Sequence, residues 1–121
     1  MVIVTSNKAR QLLFMSFFQH VHAAELQRGQ QDVKTLLADL PPGFRVLVDF
    51  SQLESMDLDC APEIGRTMDL LDQNGVGTVV RVIPDPSKDI GMRILSLFHY
   101  RNHVLVVTCD NMAEAYEKLA L

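Results

Sequence analysis

The segment Phe44–Gly75 decides the fold, and its sequence is FRVLVDFSQLESMDLDCAPEIGRTMDLLDQNG. Its first part, Arg45–Phe50, is rich in β-branched and aromatic residues and predicts a buried strand. From about Cys60 to Asn74, apolar residues recur every three or four positions, which predicts a helix. The acidic corner Met56–Cys60 between them brings backbone N–H groups and a few side chains to one edge of the sheet, where open α/β folds place their binding sites.

The rest of the sequence alternates between strand and helix patterns. A nearly continuous apolar run at Leu12–Phe18 predicts a central strand that is covered on both faces. The other predicted elements are a short strand at Val2–Val4, a helix at His22–Leu40, a strand at Thr78–Ile83, a helix that opens at Asp85-Pro86, a strand at His103–Thr108 and a helix after the N-cap Asn111.

These elements give the order ββαβαβαβα, which is typical of an α/β fold. Because a crossover helix returns the chain to the same end of the sheet, successive strands should pair in parallel, whereas the two amino-terminal strands are close enough to pair antiparallel. We expect one domain over residues 1–121, with a mixed, mostly parallel sheet of about five strands and four helices.

Composition and charge narrow the class of protein. Hydrophobic residues make up 48% of the chain and charged residues 21%, as in globular domains. The net charge of −4 argues against a nucleic acid or an anionic membrane as the main partner. The two distant cysteines, the lack of a signal pattern and the shortness of the apolar runs predict a soluble cytoplasmic protein with reduced thiols. Its apolar helix faces are compatible with a homodimer.

The order of elements and one local pattern resemble a STAS domain, the fold of bacterial anti-sigma factor antagonists and of sulfate-transporter cytoplasmic tails. The resemblance covers about residues 10–120 and lies in the stretches LLFMSFF (12–18), VKTLLADL (33–40), RVLVDFSQLESMDLDCAPEIG (45–65), QNGVG (73–77) and VLVVTCDNMAEAYEKL (104–119). It implies a non-catalytic module without a cofactor that binds a protein partner, such as a GHKL-type anti-sigma kinase or another member of a signalling complex.

The corner departs from the pattern of the STAS family in one chemically important way. In that family it carries Asp-Ser-(Ser/Thr)-Gly, and a partner kinase phosphorylates the first serine, which releases the partner. Here Leu58 stands where that serine should be, Asp59 replaces the next hydroxyl residue, and Cys60 replaces the glycine. Leu58 has no oxygen to accept phosphate, so the resemblance implies a module without the usual switch. The carboxylate of Asp59 either imitates the phosphorylated state or caps the helix, where an anion is favoured by about 0.3–1 kcal/mol.

We expect the partner-binding surface to comprise the corner, the helix after it and the loop after the next strand. Its candidate residues are Ser55, Met56, Asp57, Leu58, Asp59, Cys60, Glu63, Asp85 and Ser87. This surface depends on one geometric expectation, that the aspartates which follow successive parallel strands converge on one edge of the sheet. The acids concerned are Asp57, Asp59 and Glu63 at the corner, and Asp85 and Asp110 after the next two strands.

Metal binding is a second hypothesis for the same region. Clustered carboxylates suit a divalent cation, but Asp59 and Asp85 precede helices, and we favour helix capping as their role. His20 and His22 would share a face of a strand and suit two metal ligands. No third ligand has a recognisable spacing, so we interpret the pair as an ordinary strand-to-helix junction without a metal.

Two further hypotheses concern a thiol and an apolar cavity. Cys60 lies near a helix N-terminus, which lowers thiol pKa values, but no histidine stands in a motif relation to it, and we interpret it as an inert small residue. A thiol or metal enzyme is therefore the least favoured function. STAS-like folds can also shelter a nucleotide or a lipid, and the phenylalanines that would line such a cavity are Phe14, Phe17, Phe18 and Phe98. Aromatic residues in these places are more often plain core.

Overall fold

The computed structural model of the chain describes residues 1–85, 91, 95–96 and 99–121. Within these ranges the elements follow in the order β1 (Val2–Asn7), β2 (Leu12–Val21), α1 (Ala23–Leu37), β3 (Arg45–Met56), α2 (Cys60–Gln73), β4 (Thr78–Val82), β5 (Leu105–Cys109) and α3 (Met112–Leu119). The helix predicted to open at Asp85-Pro86 falls on residues that lie mostly outside the described ranges. No helix inside those ranges is long and apolar enough to cross a membrane.

The strands form one five-stranded sheet whose spatial order is the chain order, β1-β2-β3-β4-β5. β1 pairs with β2 in the antiparallel sense, and every other neighbouring pair is parallel. The mixed, mostly parallel sheet and the antiparallel amino-terminal pair predicted from the sequence are therefore confirmed.

Helices cover both faces of the sheet. On one face the apolar sides of α1 and α2 pack against alternate residues of the central strands, among them Leu13, Met15, Phe17, Val46, Val48 and Val79. On the other face Ala115 and Leu119 of α3 pack against Leu12, Leu47 and Val80. Burial on both faces explains the nearly continuous apolar character of β2.

The ends of several elements differ from their predicted positions. α1 ends at Leu37 and not at Leu40, with a turn before Pro41. β5 begins at Leu105 and not at His103, since His103 has a φ of 58° and this left-handed conformation interrupts an extended strand. Asn111 caps α3 as predicted, and its side chain accepts a hydrogen bond from the backbone N–H of Glu114 at 2.8 Å.

The largest difference is the length of β3, which continues past the predicted end at Phe50 to Met56. β3 pairs with β4 only as far as Asp49, and beyond that point only with β2. The residues of this extension are exposed or half-buried, so they lack the continuous apolar character that marks a buried strand. The extension carries the corner away from β4 and towards the end of β2.

Two irregularities in the β2–β3 pairing determine which residues face each other at that end. The register changes twice, and the pairs on either side of the changes are Ser16–Asp49, Phe18–Gln52, Gln19–Leu53 and His20–Ser55. Each change adds one residue to β3. Since side chains alternate between the two faces of a sheet, one extra residue would reverse the facing of all later pairs, and the second extra residue restores it. Gln19, at the second change, has a φ of 58°.

We expect glycine at position 19 to stabilise the protein and valine to destabilise it, because the backbone there is left-handed. That conformation costs an L-residue about 1–2 kcal/mol and costs glycine nothing comparable. Gln19→Gly should therefore raise the free energy of unfolding, and Gln19→Val should lower it by about 1 kcal/mol, as measured by urea denaturation. The matched control is Gln52, an exposed residue of β3 whose φ is not positive, where valine should be favoured over glycine. The same order at both positions would contradict the left-handed backbone at Gln19.

Candidate functional site

A short turn joins β3 to α2 and is fixed to the end of β2. The N–H of Asp57 donates to the carbonyl of Val21 at 3.2 Å, and the N–H of Cys60 donates to the carbonyl of Asp57 at 3.0 Å. The side chain of Val21 is fully buried. These hydrogen bonds tie the backbone of the corner to a buried residue of β2, and they fix the positions from which its side chains project.

Three polar side chains meet beside this turn. The carboxylate of Asp57 lies between two histidines, with Oδ1 at 2.7 Å from Nε2 of His20 and Oδ2 at 2.7 Å from Nδ1 of His22. The two imidazole rings are in edge contact, with centroids 4.7 Å apart. The cluster is formed across the β2–β3 pairing, because His20 lies in β2 and His22 is the N-cap of α1. Sequence reasoning singled out both histidines and also Asp57, but it did not connect them.

Ser55 extends this cluster. Its hydroxyl oxygen lies 2.5 Å from Nδ1 of His20, the ring nitrogen that faces away from Asp57. Hydrogen bonds from His22 and His20 lower the pKa of Asp57 below its ordinary value, so the carboxylate is ionised at neutral pH. An ionised carboxylate between two imidazoles makes both facing ring nitrogens hydrogen-bond donors.

The outer side of the turn is exposed. Leu58 is 97% exposed, the largest fraction among the exposed large hydrophobic residues of the described chain. Asp59 is also exposed and occupies the N-cap position of α2, but its side chain makes no capping hydrogen bond. The prediction that the Asp59 side chain caps α2 by a hydrogen bond is therefore wrong. A capping side chain needs an extended backbone at the N-cap residue, whereas the backbone of Asp59 is already helical.

Cys60 lies on the inner side of the turn. It is buried, and its thiol is 3.4 Å from the carbonyl oxygen of Val21. Burial raises the pKa of the Cys60 thiol above its ordinary value, which opposes the effect expected near a helix N-terminus. Both cysteines of the chain are free and buried. A buried thiol with a raised pKa is a poor nucleophile, and this agrees with the interpretation of Cys60 as an inert small residue.

Glu63 is not part of the exposed surface, and this part of the predicted partner-binding site is wrong. Its side chain is buried between α1 and α2. The side-chain amide of Gln30 donates to its carboxylate at 2.9 Å, that of Gln27 donates at 3.3 Å, and Arg66 forms an ion pair with it. Burial by itself would raise the pKa of Glu63, but these hydrogen bonds and the charge of Arg66 outweigh burial and lower it.

The aspartates that follow the parallel strands do not form one cluster. Asp85 and Asp110 follow β4 and β5 close to the level at which β3 stops pairing with β4, and Asp57 lies several residues farther along β3. Among the described residues, the only group of three or more metal-ligating side chains with donor atoms within 4.8 Å is that of His20, His22 and Asp57. The parallel pairing of β3, β4 and β5 places these aspartates at the same edge of the sheet, as expected, but Asp57 does not join Asp85 and Asp110 in a group close enough to hold a metal ion. Asp85 is exposed, and Ser87 lies outside the described residues.

The phenylalanines proposed as a cavity lining lie on different faces of the sheet. Phe17 stacks on Phe50, with ring centroids 4.7 Å apart, beside a small, partly open cavity of about 40 Å³. This volume has room for a few water molecules, whereas small-ligand pockets measure about 300–1,000 Å³. Phe14 lies on the opposite face, where it lines an open depression of about 320 Å³. Phe18 is half-buried, and Phe98 lies outside the described residues.

Comparisons with known proteins identify the fold. The sequence matches no protein-family model and no curated protein sequence. A DUF3478-family protein with a SpoIIAA-like fold from Shewanella loihica PV-4 is similar with a TM-score of 0.76 at 12% identity, over 98% of this chain and 93% of that chain. The Bacillus cell fate determinant SpoIIAA in its phosphorylated form is similar with a TM-score of 0.65 at 14% identity, over 98% and 99% of the two chains.

A third similar structure, an anti-sigma factor antagonist from Mycobacterium paratuberculosis, has a TM-score of 0.61 at 15% identity, over 100% of this chain and 94% of that chain. The chain therefore has a STAS-like fold, as the sequence resemblance implied.

The buried Glu63 leads to a prediction about acid stability. Its pKa is lowered in the folded state, so the unfolded chain binds a proton more readily. The stabilisation from ionised Glu63 is present above the unfolded pKa and is lost as pH falls through the folded pKa, which lies below the ordinary value of 4.5. We expect wild type to lose more stability than Glu63→Gln between pH 6 and pH 3, measured by urea unfolding. Glu54→Gln, at an exposed position of β3, is the control and should follow wild type. Equal acid losses in Glu63→Gln and wild type would contradict a buried, ionised Glu63.

Proposed function

We propose that the chain is a non-catalytic regulatory module that binds a protein partner through the segment Ser55–Cys60, which comprises the acidic corner and the residue before it. The module works without phosphorylation of that segment. The observation that carries the proposal is the position of Leu58, an almost fully exposed leucine on a turn whose backbone is fixed to the core. The partner that the STAS-like fold suggests is a GHKL-type anti-sigma kinase or a member of a signalling complex in the cytoplasm.

An apolar anchor on a rigid turn is suited to binding. Burial of a leucine side chain contributes about 1.5–3 kcal/mol, and a pre-ordered turn loses little conformational entropy when a partner covers it. The turn is pre-ordered because the carbonyls of Asp57 and Leu58 accept hydrogen bonds from the first residues of α2. The exposed carboxylate of Asp59 next to the anchor favours a partner with basic groups around an apolar pocket.

Regulation by phosphate at this corner is disfavoured by its chemistry. Leu58 has no hydroxyl group, and the hydroxyl of Ser55 is engaged with His20 at 2.5 Å. Asp59 likewise has a carboxyl group and no hydroxyl group. These three features support a partner interaction that is unswitched, or switched by something other than a kinase.

The state of the thiol at the corner supports a binding role over thiol catalysis. The thiol of Cys60 is buried and its pKa is raised. The anti-sigma factor antagonists among the structures of similar fold are named as regulators and not as enzymes.

We expect Leu58→Gln to reduce recovery of a specific partner by about tenfold or more in affinity capture from the native host, because the loss of apolar burial is worth at least about 1.4 kcal/mol. The matched control is Leu105→Gln, which removes another exposed leucine, 60% exposed on the edge strand β5. Recovery with Leu105→Gln should equal that of wild type.

Two results would contradict this proposal. One is equal recovery of every partner with both variants and wild type, which would move the binding site elsewhere. The other is stoichiometric phosphate on a residue of the segment Ser55–Cys60 after incubation with the captured kinase and ATP. The second candidate function, a carrier of a nucleotide or a lipid, stays a prediction, and a copurified small molecule in native mass spectra of the fresh protein would support it.

A further inference from the structure

We propose that His20, His22 and Asp57 form a binding site for one divalent transition-metal ion of the zinc class. Each residue offers one donor atom, and the three donor atoms lie within 4.8 Å of one another. The site shares Ser55 and Asp57 with the proposed docking segment, but metal binding can be measured on the isolated chain without a partner. It also differs from the carboxylate site considered from the sequence, because two of its three ligands are imidazoles.

The present distances allow an ion to enter with small movements. Zinc binds histidine nitrogen at about 2.0–2.1 Å and carboxylate oxygen at about 2.0–2.2 Å, so tetrahedral geometry places the donor atoms about 3.3 Å apart. The two histidine–carboxylate distances are now 2.7 Å, the length of direct hydrogen bonds. An ion would take the place of these hydrogen bonds, which would each widen by about 0.6 Å to reach this spacing, and the three donor atoms already lie within 4.8 Å of one another.

The donor set selects the class of ion. Imidazole nitrogens with one carboxylate suit Zn²⁺ and the neighbouring transition metals, whereas Mg²⁺ and Ca²⁺ prefer ligand sets made of oxygen. Both histidines and Asp57 are accessible, with side chains 41%, 63% and 41% exposed, so an ion can reach them from solvent. Three protein ligands leave one tetrahedral position for water or for a donor from another molecule.

Ser55 supplies the support that metal-binding histidines need. A ligating histidine usually donates its second ring N–H to a neighbouring oxygen, and this fixes its tautomer and orientation. Nδ1 of His20 lies 2.5 Å from the hydroxyl oxygen of Ser55, while Nε2 faces the site. With an ion on Nε2, the proton of His20 would lie on Nδ1 and be donated to Ser55. Ser55 is a positioning residue in this arrangement and not a ligand.

The ligands are held by rigid parts of the fold. The buried Val21 lies between the two histidines, and its carbonyl accepts the N–H of Asp57. The backbone N–H of His22 donates to the carboxylate of Glu25 at 3.0 Å, which fixes the start of α1. A site whose ligand backbones are fixed before the ion arrives loses little entropy on binding.

The test is a titration of chelator-treated protein with Zn²⁺ at neutral pH by isothermal calorimetry. We expect one equivalent to bind to wild type and the affinity to fall at least tenfold in each of His20→Gln, His22→Gln and Asp57→Asn. His103→Gln is the matched control, since His103 is exposed and lies outside the cluster, and its affinity should equal that of wild type. Circular dichroism would establish that each variant is folded before titration.

Ser55→Ala separates positioning from ligation. We expect it to keep the stoichiometry of one and to weaken Zn²⁺ binding by about 10–100-fold, the usual effect of removing a partner of a ligating histidine. In NMR spectra of wild type, ring protons of His20 and His22 should shift with Zn²⁺, and those of His103 should not.

Three results would overturn the metal site. The first is no binding of Zn²⁺ by folded wild type. The second is the same loss of affinity in His103→Gln as in the cluster variants. The third is equal affinity for Mg²⁺, which would show that the imidazoles do not select the ion. None of them affects the docking proposal, because partner recovery with Leu58→Gln is measured separately.

Discussion

The parallel pairing of β2 with β3 is the constraint on which the rest of the structure depends. These are the two longest strands, and they continue to pair after β4 has ended its contact with β3. Their common extension carries the turn at Asp57 to the point where β2 passes into α1. Without it, the corner would lie beside Asp85 and Asp110, and the histidines would have no carboxylate between them. The site is thus a product of strand length and register as much as of residue type.

Much of the fold could be predicted from the sequence because apolar periodicity is a local property. The continuous run of β2, the stripe of α1 and the proline–glycine stop before β3 each act over a few residues, and each predicted element within the described ranges exists. The extension of β3 could not be predicted, because its residues are exposed or half-buried and lack a strong strand pattern. Its partner strand, and not its own hydrophobicity, holds it extended.

The candidate site was harder to predict than the fold, for a related reason. His22 and Asp57 are 35 residues apart in the chain, and their meeting depends on two register changes between strands. One change lies at Gln19, whose left-handed backbone carries no glycine to mark it. The burial of Glu63 was missed for a different reason. A glutamate near the start of a helix is usually exposed. The sequence did carry one signal of its burial: Gln30 lies in the otherwise apolar stripe of α1, and a polar residue there indicates a buried polar partner on the facing helix.

The two sides of the corner differ in what holds their side chains in place. Asp57 turns towards the two histidines, to which it is hydrogen-bonded, and Cys60 turns into the core, where its thiol contacts the backbone of β2. Leu58 and Asp59 turn outwards, and their side chains contribute little to the packing of the core. Because the inner residues already fix the backbone, the outer ones are free to vary with the partner at little cost in stability. A serine at position 58 would be equally compatible with this backbone, so the exposed leucine there is not a requirement of the fold.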